Sequence, residues 1–547
     1  MEIQVESGSA AGAQSEQLPK KPSMSLSFSN VYLLMAVSGA LLGLSCPGID
    51  QHYLVWFGLV PLFLSIFSPL TKRQTFLRAF VFGLAYNLVY LHWLLFTHPL
   101  TWTGFARQIP LLFATAGWLV FSAQQGVIIG LFALAARAIP MCGGFLPDKS
   151  IKGGAKQLRL PSFLILPFLW VLILNRLGNA HIILGVPWAM LEYSQYKQLE
   201  LIQLAPFIGG IGIGALIVLT NCAIAAIVLR VFNSEKSEGF RQSRKSPFFF
   251  RSRTRFAVST SLVFVLLLAA TIKGEDLLHH GRFDINTKPS RKIAVIQGND
   301  CPGISRRAAE VVVADFVKMT VKAPPVLCLW TEWSVPASLQ KRKDVFKGLA
   351  SMAAAQKQEW IVGCFDENKE GQLYNSAALL ADGGVKGEVY SKRYLVPFGE
   401  YVPSPLHIPP LCYLFCTGTP EKSDFASGTK PVVMPVSDYE VSPIICFESI
   451  DPELVAQSVR AGGQVILNLS NTIWFRQSIM SDQMIAFAVM RAAECRRSFV
   501  FSTNVGPSVF INPLGEVTGK TARGEAVILT EDVALSHEIT PFCRFYR

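Results

Sequence analysis

The sequence predicts two parts of different fold class: a polytopic α-helical membrane domain, followed by an α/β or layered α+β domain. Three observations carry this. The 547 residues are 51% hydrophobic, with mean hydropathy +0.36, more than one large soluble core accounts for. Seven apolar segments precede residue 275. After Ile272 the texture changes to short β-branched runs separated by helical stretches.

The apolar segments run over Val31–Cys46, Tyr53–Leu70, Phe76–Phe96, Leu111–Ala136, Pro161–Leu174, Leu204–Val231 and Ala257–Ile272. The fifth is short for a span, and Asn175–Ile202 has no clear assignment. Before them lies a polar tail, residues 1–29, of disordered composition. It is too long and acidic for a cleaved signal peptide, so the first span reads as an uncleaved start.

Charge supports seven spans. The net charge is +12, and all of the excess falls in the first 255 residues, with 21 Lys/Arg against nine Asp/Glu. Eighteen of those basic residues lie on alternate connections, beginning with Lys20 and Lys21. Only Arg107, Arg176 and Lys197 lie on the others. Basic loops stay in the cytoplasm, so the N-terminus is expected inside and the region after Ile272 outside. Topogenic charge also accounts for the basic pI without a nucleic-acid partner.

The second part is expected to carry strands at Ile293–Ile296, Val326–Trp330, Trp360–Val362, Ala377–Leu380, Val432–Met434, Val441–Ile445, Val465–Leu469 and Val500–Ser502. Helices are expected at Arg306–Val321, Ser338–Gln356, Pro452–Ala461 and Ser478–Cys495. The domain limits are then 1–29, 30–274 and 285–547. The eleven cysteines show no zinc spacing, and neither a metal nor a cofactor is expected. Cys412 and Cys416 are the closest pair, as ready to form a bridge as to stay free.

Three residues stand near predicted strand ends: Glu332 after Trp330-Thr331, Lys392 after Tyr390-Ser391, and Cys446 after Ile444-Ile445. Singly each has a plain reading, as a solvated loop carboxylate, one base among 50, and core filler. Together a carboxylate, an ammonium and a thiol form a covalent acyl-transfer set. Cys446 is expected on a strand-to-helix turn, where a helix N-terminus would favour the thiolate.

In this order, and at these spacings, the three residues resemble the Glu–Lys–Cys triad of the nitrilase (carbon–nitrogen hydrolase) superfamily, which implies an αββα sandwich. Leu395-Val396-Pro397-Phe398-Gly399-Glu400-Tyr401-Val402-Pro403 further resembles the signature of the apolipoprotein N-acyltransferase family. So do Gln297-Gly298-Asn299, Ser470-Asn471 with Trp474-Phe475, Met490-Arg491-Ala492 with Glu494, Ser502-Thr503-Asn504, and Gly185 with Pro187-Trp188. The resemblance implies acyl transfer from a membrane phospholipid, through a cysteine thioester, to the amine of a diacylglyceryl-cysteine apolipoprotein. It implies a bacterial inner-membrane location, with the catalytic domain on the periplasmic side.

By the same resemblance Cys446 is the nucleophile, Glu332 the general base, and Lys392 the oxyanion stabiliser with the backbone N–H of Phe447. Glu400 would orient Lys392 or substrate, and Glu448 matches a functional carboxylate. The chain departs from the family at Thr331 (usually Pro), Phe447 (usually Tyr) and Thr472 (usually Asp). A family Trp is missing near Arg306, and no apolar run resembling an eighth span precedes Arg547. The C-terminus is therefore expected on the same side as Cys446. A membrane-anchored amidase is the alternative enzyme. A non-catalytic scaffold is disfavoured because all three triad residues are kept.

Overall fold

The computed structural model describes residues 28–68, 70–97, 110–138, 162–178, 188–234, 253–301, 307–403, 424–475 and 477–546. The tail, Gly185, Pro187, Arg306 and the Cys412–Cys416 pair lie outside them.

Each of the seven apolar segments falls on helix. In chain order the α-helices are α1 (Phe28–Gly43), α2 (Val60–Phe67), α3 (Lys72–Tyr90), α4 (Pro110–Ala138), α5 (Ser162–Gly178), α6 (Leu199–Ile202), α7 (Ala205–Ser234) and α8 (Arg253–Thr287). Two stretches, Leu111–Ala138 and Ala205–Leu229, are long and apolar enough by themselves to cross a membrane. Asn30–Gly43, His52–Phe67 and Ile165–Leu174 are apolar but shorter. The others mix polarity: α3 opens on Lys72-Arg73, and α8 carries Lys273, Glu275 and Asp276 past its apolar half. Residues 188–204 form short turns rather than a span, including a 3₁₀ turn at Leu191–Gln195.

Helix α8 runs without a break beyond Ile272 and delivers the chain to β1 (Ser290–Gln297). Seven of the eight expected strands and all four expected helices are present, and the eighth, Val432–Met434, meets a strand only at Met434. The further strands are β2 (Leu327–Leu329), β3 (Glu359–Glu367), β4 (Leu373–Ala381), β5 (Gly384–Val385), β6 (Tyr390–Ser391), β7 (Met434–Val436), β8 (Tyr439–Ile445), β9 (Val465–Ser470), β10 (Ser498–Thr503), β11 (Val509–Ile511), β12 (Val517–Lys520) and β13 (Val527–Ala534). One sheet has the order β13-β1-β2-β3-β4-β5, with β6 on β4, and the other the order β12-β11-β10-β9-β8-β7. Both are mixed: β1–β2–β3 and β8–β9–β10 are parallel, and the flanking pairs are antiparallel.

The period-two pattern of β1 sets the layers. Ala294 and Ile296 pack outward with Phe316 of α9 (Ala309–Thr320) and Phe346 of α10 (Lys343–Ala355). Ile293 and Val295 belong instead to the core that includes Ile444, Leu467 and Val500 of the second sheet. Helices α11 (Pro452–Arg460) and α12 (Met480–Cys495) cover the far face of that sheet. The result is the expected αββα sandwich. The last strand, β13, pairs antiparallel with β1 along its full length, Ser290 opposite Ala534, and closes one edge of the first sheet.

The helical part meets the sandwich through a few specific bonds. The Gln483 side chain on α12 donates to the Tyr90 carbonyl at 3.0 Å and accepts from the Trp188 indole. Helix α7 is kinked at Gly209, whose φ of 67° suits glycine. There the Gly210 N–H donates to Glu494 at 2.7 Å. A final helix, α13 (Pro541–Phe545), packs against α7 and α11.

Candidate functional site

Glu332 and Cys446 stand where parallel strands of the two sheets end, the usual place for ligands in α/β layers, and Lys392 follows β6, which pairs antiparallel with β4. Glu332 follows β2. Its loop is stitched to β3 by Trp330 N–H to Ile361 O at 2.9 Å and Gly363 N–H to Ser334 Oγ at 3.1 Å. A glycine is required at 363, because a Cβ there would lie 2.5 Å from Thr331 O and 2.8 Å from Glu332 Cα. Lys392 follows β6 and is held by its own N–H on Asn375 O and by Gly428 N–H on its carbonyl, both at 2.8 Å.

Cys446 ends β8 on a strained elbow. Its φ is 53°, a left-handed value that costs a non-glycine residue about 1–3 kcal/mol. Its carbonyl accepts from Asn468 Nδ2 at 3.0 Å, which helps hold the elbow. Glu448 holds it from the other side. That carboxylate accepts from Ile445 N at 2.6 Å, Tyr390 OH at 2.7 Å, Arg393 N at 2.6 Å and Tyr394 N at 3.1 Å. Glu448 thus ties the Cys446 turn to the Lys392 segment, with its four donors drawn from the two segments it joins.

Glu332, Lys392 and Glu400 form one buried cluster. Lys392 is 1% exposed, Glu332 5% and Glu400 4%. Lys392 Nζ donates to Glu332 Oε1 at 3.1 Å and Glu400 Oε1 at 3.0 Å. Asn375 Nδ2 bridges the same two oxygens, at 2.7 Å each. Glu332 Oε2 takes the Asn471 N–H at 2.9 Å, and Glu400 Oε2 takes the Val396 N–H at 2.8 Å. Asn375 went unnoticed in the sequence. Its only signal was a polar residue at a fully buried position of an apolar strand.

The electrostatics assign protons. Burial pushes the Cys446 thiol up to about 12, and the Glu332 charge adds to this. Lys392, Ser470 and Asn471 oppose it. The expected helix-assisted thiolate is therefore corrected. Cys446 opens a 3₁₀ turn, and the α-helix proper starts six residues later at Pro452, capped by Asp451. Burial also raises Glu332, against Lys392, with Glu400 adding to the rise. Burial alone would lower Lys392, but Glu332 and Glu400 lift it above the ordinary ammonium value, so it stays charged. The resting set is a thiol beside a carboxylate of raised basicity and a cation.

Phe447 is the link to the helical part. Its ring stacks on Trp188 at 5.5 Å and on Tyr394 at 5.1 Å. Trp188 in turn lies 4.9 Å from Trp93, and Trp93 5.3 Å from Phe475. The other quoted polar motifs lace strand ends together: Asn504 Nδ2 donates to Asn471 Oδ1 at 2.7 Å, and Gln297 Oε1 accepts from Ser508 and Thr521. Among the described residues no group of His, Cys, Asp and Glu is arranged to hold a metal.

Residues 38–223 match the family described as Apolipoprotein N-acyltransferase N-terminal domain, and residues 317–538 match Carbon-nitrogen hydrolase. An apolipoprotein N-acyltransferase of Geobacter metallireducens is 30% identical over 92% of this chain and 89% of its own. The chain belongs to the apolipoprotein N-acyltransferase family. It is thus an acyltransferase-type enzyme of the carbon–nitrogen hydrolase superfamily. A relative of the same name from Gloeobacter violaceus is 25% identical over 93% of this chain and 89% of its own. One from Pseudomonas syringae pv. tomato is 28% identical over 65% and 66%. Among solved structures, an amidase from Nesterenkonia sp. is 19% identical, covering 47% of this chain and 93% of its own with a TM-score of 0.35.

Proposed function

We propose that this enzyme moves an acyl chain from a membrane phospholipid to the N-terminal amine of a diacylglyceryl-cysteine apolipoprotein, through a thioester on Cys446. The observation that carries this reading is the meeting of Glu332, Lys392 and the Cys446 elbow at the ends of two sheets, directly beneath an aromatic stack shared with the helical part. In the first half-reaction Glu332 takes the thiol proton as Cys446 Sγ attacks the ester carbonyl. Lys392 and the Phe447 N–H hold the oxyanion. The tetrahedral species collapses, and the proton passes to the leaving lysophospholipid alkoxide. In the second, the acceptor amine attacks the thioester, Glu332 takes a proton from it, and the thiolate leaves and is reprotonated. Glu400 keeps Lys392 aimed, and Glu448 keeps the elbow in register.

The same proposal places residues 30–274 in the bacterial inner membrane and a catalytic domain over 285–547 on the periplasmic side. One feature of the structure supports that orientation. Connections predicted to lie outside, near Tyr90–Trp93 and Trp188–Gly210, touch the sandwich. At the opposite ends, Arg137 of α4 bonds Ser68 O and Thr75 Oγ1, joining two connections predicted to lie inside.

The test is intact-mass measurement after incubation with phospholipid. An acyl adduct that maps to Cys446 and is discharged by an apolipoprotein amine is expected. Discharge by water alone, with no amide product, would instead favour the membrane-anchored amidase. Absence of any adduct on Cys446 overturns the thioester route.

A further inference from the structure

Two buried thiols far from Cys446 lie against each other. Cys495 is the last residue of α12, and Cys543 lies inside α13. Both are fully buried and 48 residues apart. Both thiols are free, and their side chains meet. The backbone of each is fixed independently of that contact. Thr540 Oγ1 donates to the Glu494 carbonyl at 2.8 Å and accepts the Cys543 N–H at 3.1 Å. Arg460 donates to the Cys543 carbonyl at 2.7 Å, and Arg497 to the Cys495 carbonyl at 3.3 Å.

We propose that Cys495 and Cys543 are joined by a disulfide in the mature enzyme. Two thiols held in contact by their backbones remain a dithiol in a reducing cytoplasm but are oxidised in a periplasm. The inference therefore rests on the orientation proposed above. Formation takes two protons and two electrons from the pair. The oxidant is a protein disulfide of the thiol–disulfide exchange class. The Cys543 thiolate attacks it to give a mixed disulfide, the Cys495 thiolate displaces the oxidant, and the oxidant leaves as a dithiol. Exchange takes place before α13 seats, since the folded pair is closed to a protein oxidant.

The bond closes a loop holding β10, β11, β12 and β13, the strands that complete both sheets. It also pins the clamp on the α7 kink. A Cβ at Gly209 would meet the Phe542 ring at 2.9 Å, and Glu494, bonded to Gly210, immediately precedes Cys495. The cross-link thus fixes the C-terminal helix where the catalytic domain grips the helical part.

The test uses the full chain with alkaline phosphatase fused after Arg547, produced in a two-membrane bacterium. The protein is acid-quenched, alkylated while denatured without reductant, and digested for mass spectrometry. With active phosphatase, the Cys495 and Cys543 peptides are expected as one linked species, lighter by two hydrogens than the pair, while Cys446 is alkylated. Both peptides alkylated singly beside active phosphatase overturns the disulfide and leaves the orientation standing. Inactive phosphatase overturns the orientation, and the disulfide with it. On the unfused enzyme, reductant is expected to lower the thermal midpoint. It should have no such effect on a Cys495→Ser/Cys543→Ser variant, which should still form the Cys446 adduct. An equal effect of reductant on both proteins also counts against the bond. The peptide measurement stands on the unaltered chain if the variant fails to fold.

Discussion

Two buried clusters in this molecule hold the same kinds of group, one basic residue and two carboxyls, in different settings. In the first, Lys392 lies between Glu332 and Glu400, and Asn375, Asn471 and Val396 supply further donors. In the second, Arg491 pairs with Glu494 at 2.9 Å on α12, with Glu192 of the helical part lining the same cavity. Glu494 accepts the Gly210 N–H released by the kink, so this cluster is a joint between the two parts of the chain. Glu192 is buried, and burial raises it to about 7. Buried charge by itself therefore does not mark a catalytic centre. The first cluster differs in standing at converging strand ends beside a thiol on a strained turn, and in having donors fixed on both carboxylates.

The largest expected effect belongs to the thiol. Cys446→Ala should abolish acyl-adduct formation, measured by intact mass, whereas variants of the Arg491 cluster should still form the adduct. Lys392→Ala should slow adduct formation on the order of 10²–10³-fold, by removing oxyanion stabilisation. Normal acylation in that variant would erase the distinction drawn between the clusters.

Geometry should matter nearly as much as charge. Gly363→Ala leaves every ionisable group in place but pushes on the Glu332 backbone. Displacement of about 1 Å at a reacting group costs about 10²-fold, so a loss of that order is expected in single-turnover acylation.

The pH profile separates the clusters further. Glu332 must be ionised to accept the thiol proton, and its pKa is raised. Acylation should therefore fall as pH drops through a limb above the ordinary carboxylate range. Glu400→Gln should move that limb down, because it removes a charge that raises Glu332. An unmoved limb would assign the titration to another group.

The smallest effect on activity should come from Glu192→Gln. The folded protein holds the Glu192 proton up to about pH 7, while the unfolded chain releases it near 4.5. Stability then falls as pH rises between those values and levels off above them. The variant should unfold at a higher temperature than the parent at pH 8, with the gap closing towards pH 5. At most on the order of 3 kcal/mol is at stake. A gap that widens on acidification would show that Glu192 is held ionised.

Much of this was legible in the sequence because it depends on local pattern. Apolar runs with alternating basic loops marked seven helical segments, and β-branched runs marked seven strands in two sheets. Short strands such as β11 and β12 escaped, since each is too brief to show period two. Glu332, Lys392 and Cys446 were readable as a group because each follows a strand, and strand ends converge in layered α/β folds.

What the sequence could not decide was which polar residues would meet. Asn375 lies 43 residues from Glu332 and 25 from Glu400, and only the pairing of β3 with β4 puts it between them. Glu448 reads as a functional carboxylate in the sequence, and only the fold draws its four donors from both sides of the sandwich. The thiol's protonation was also misjudged from local signals. A helix N-terminus is a short-range influence visible in sequence. Burial and the Glu332 charge arise only when two sheets close over Cys446, and they outweigh it.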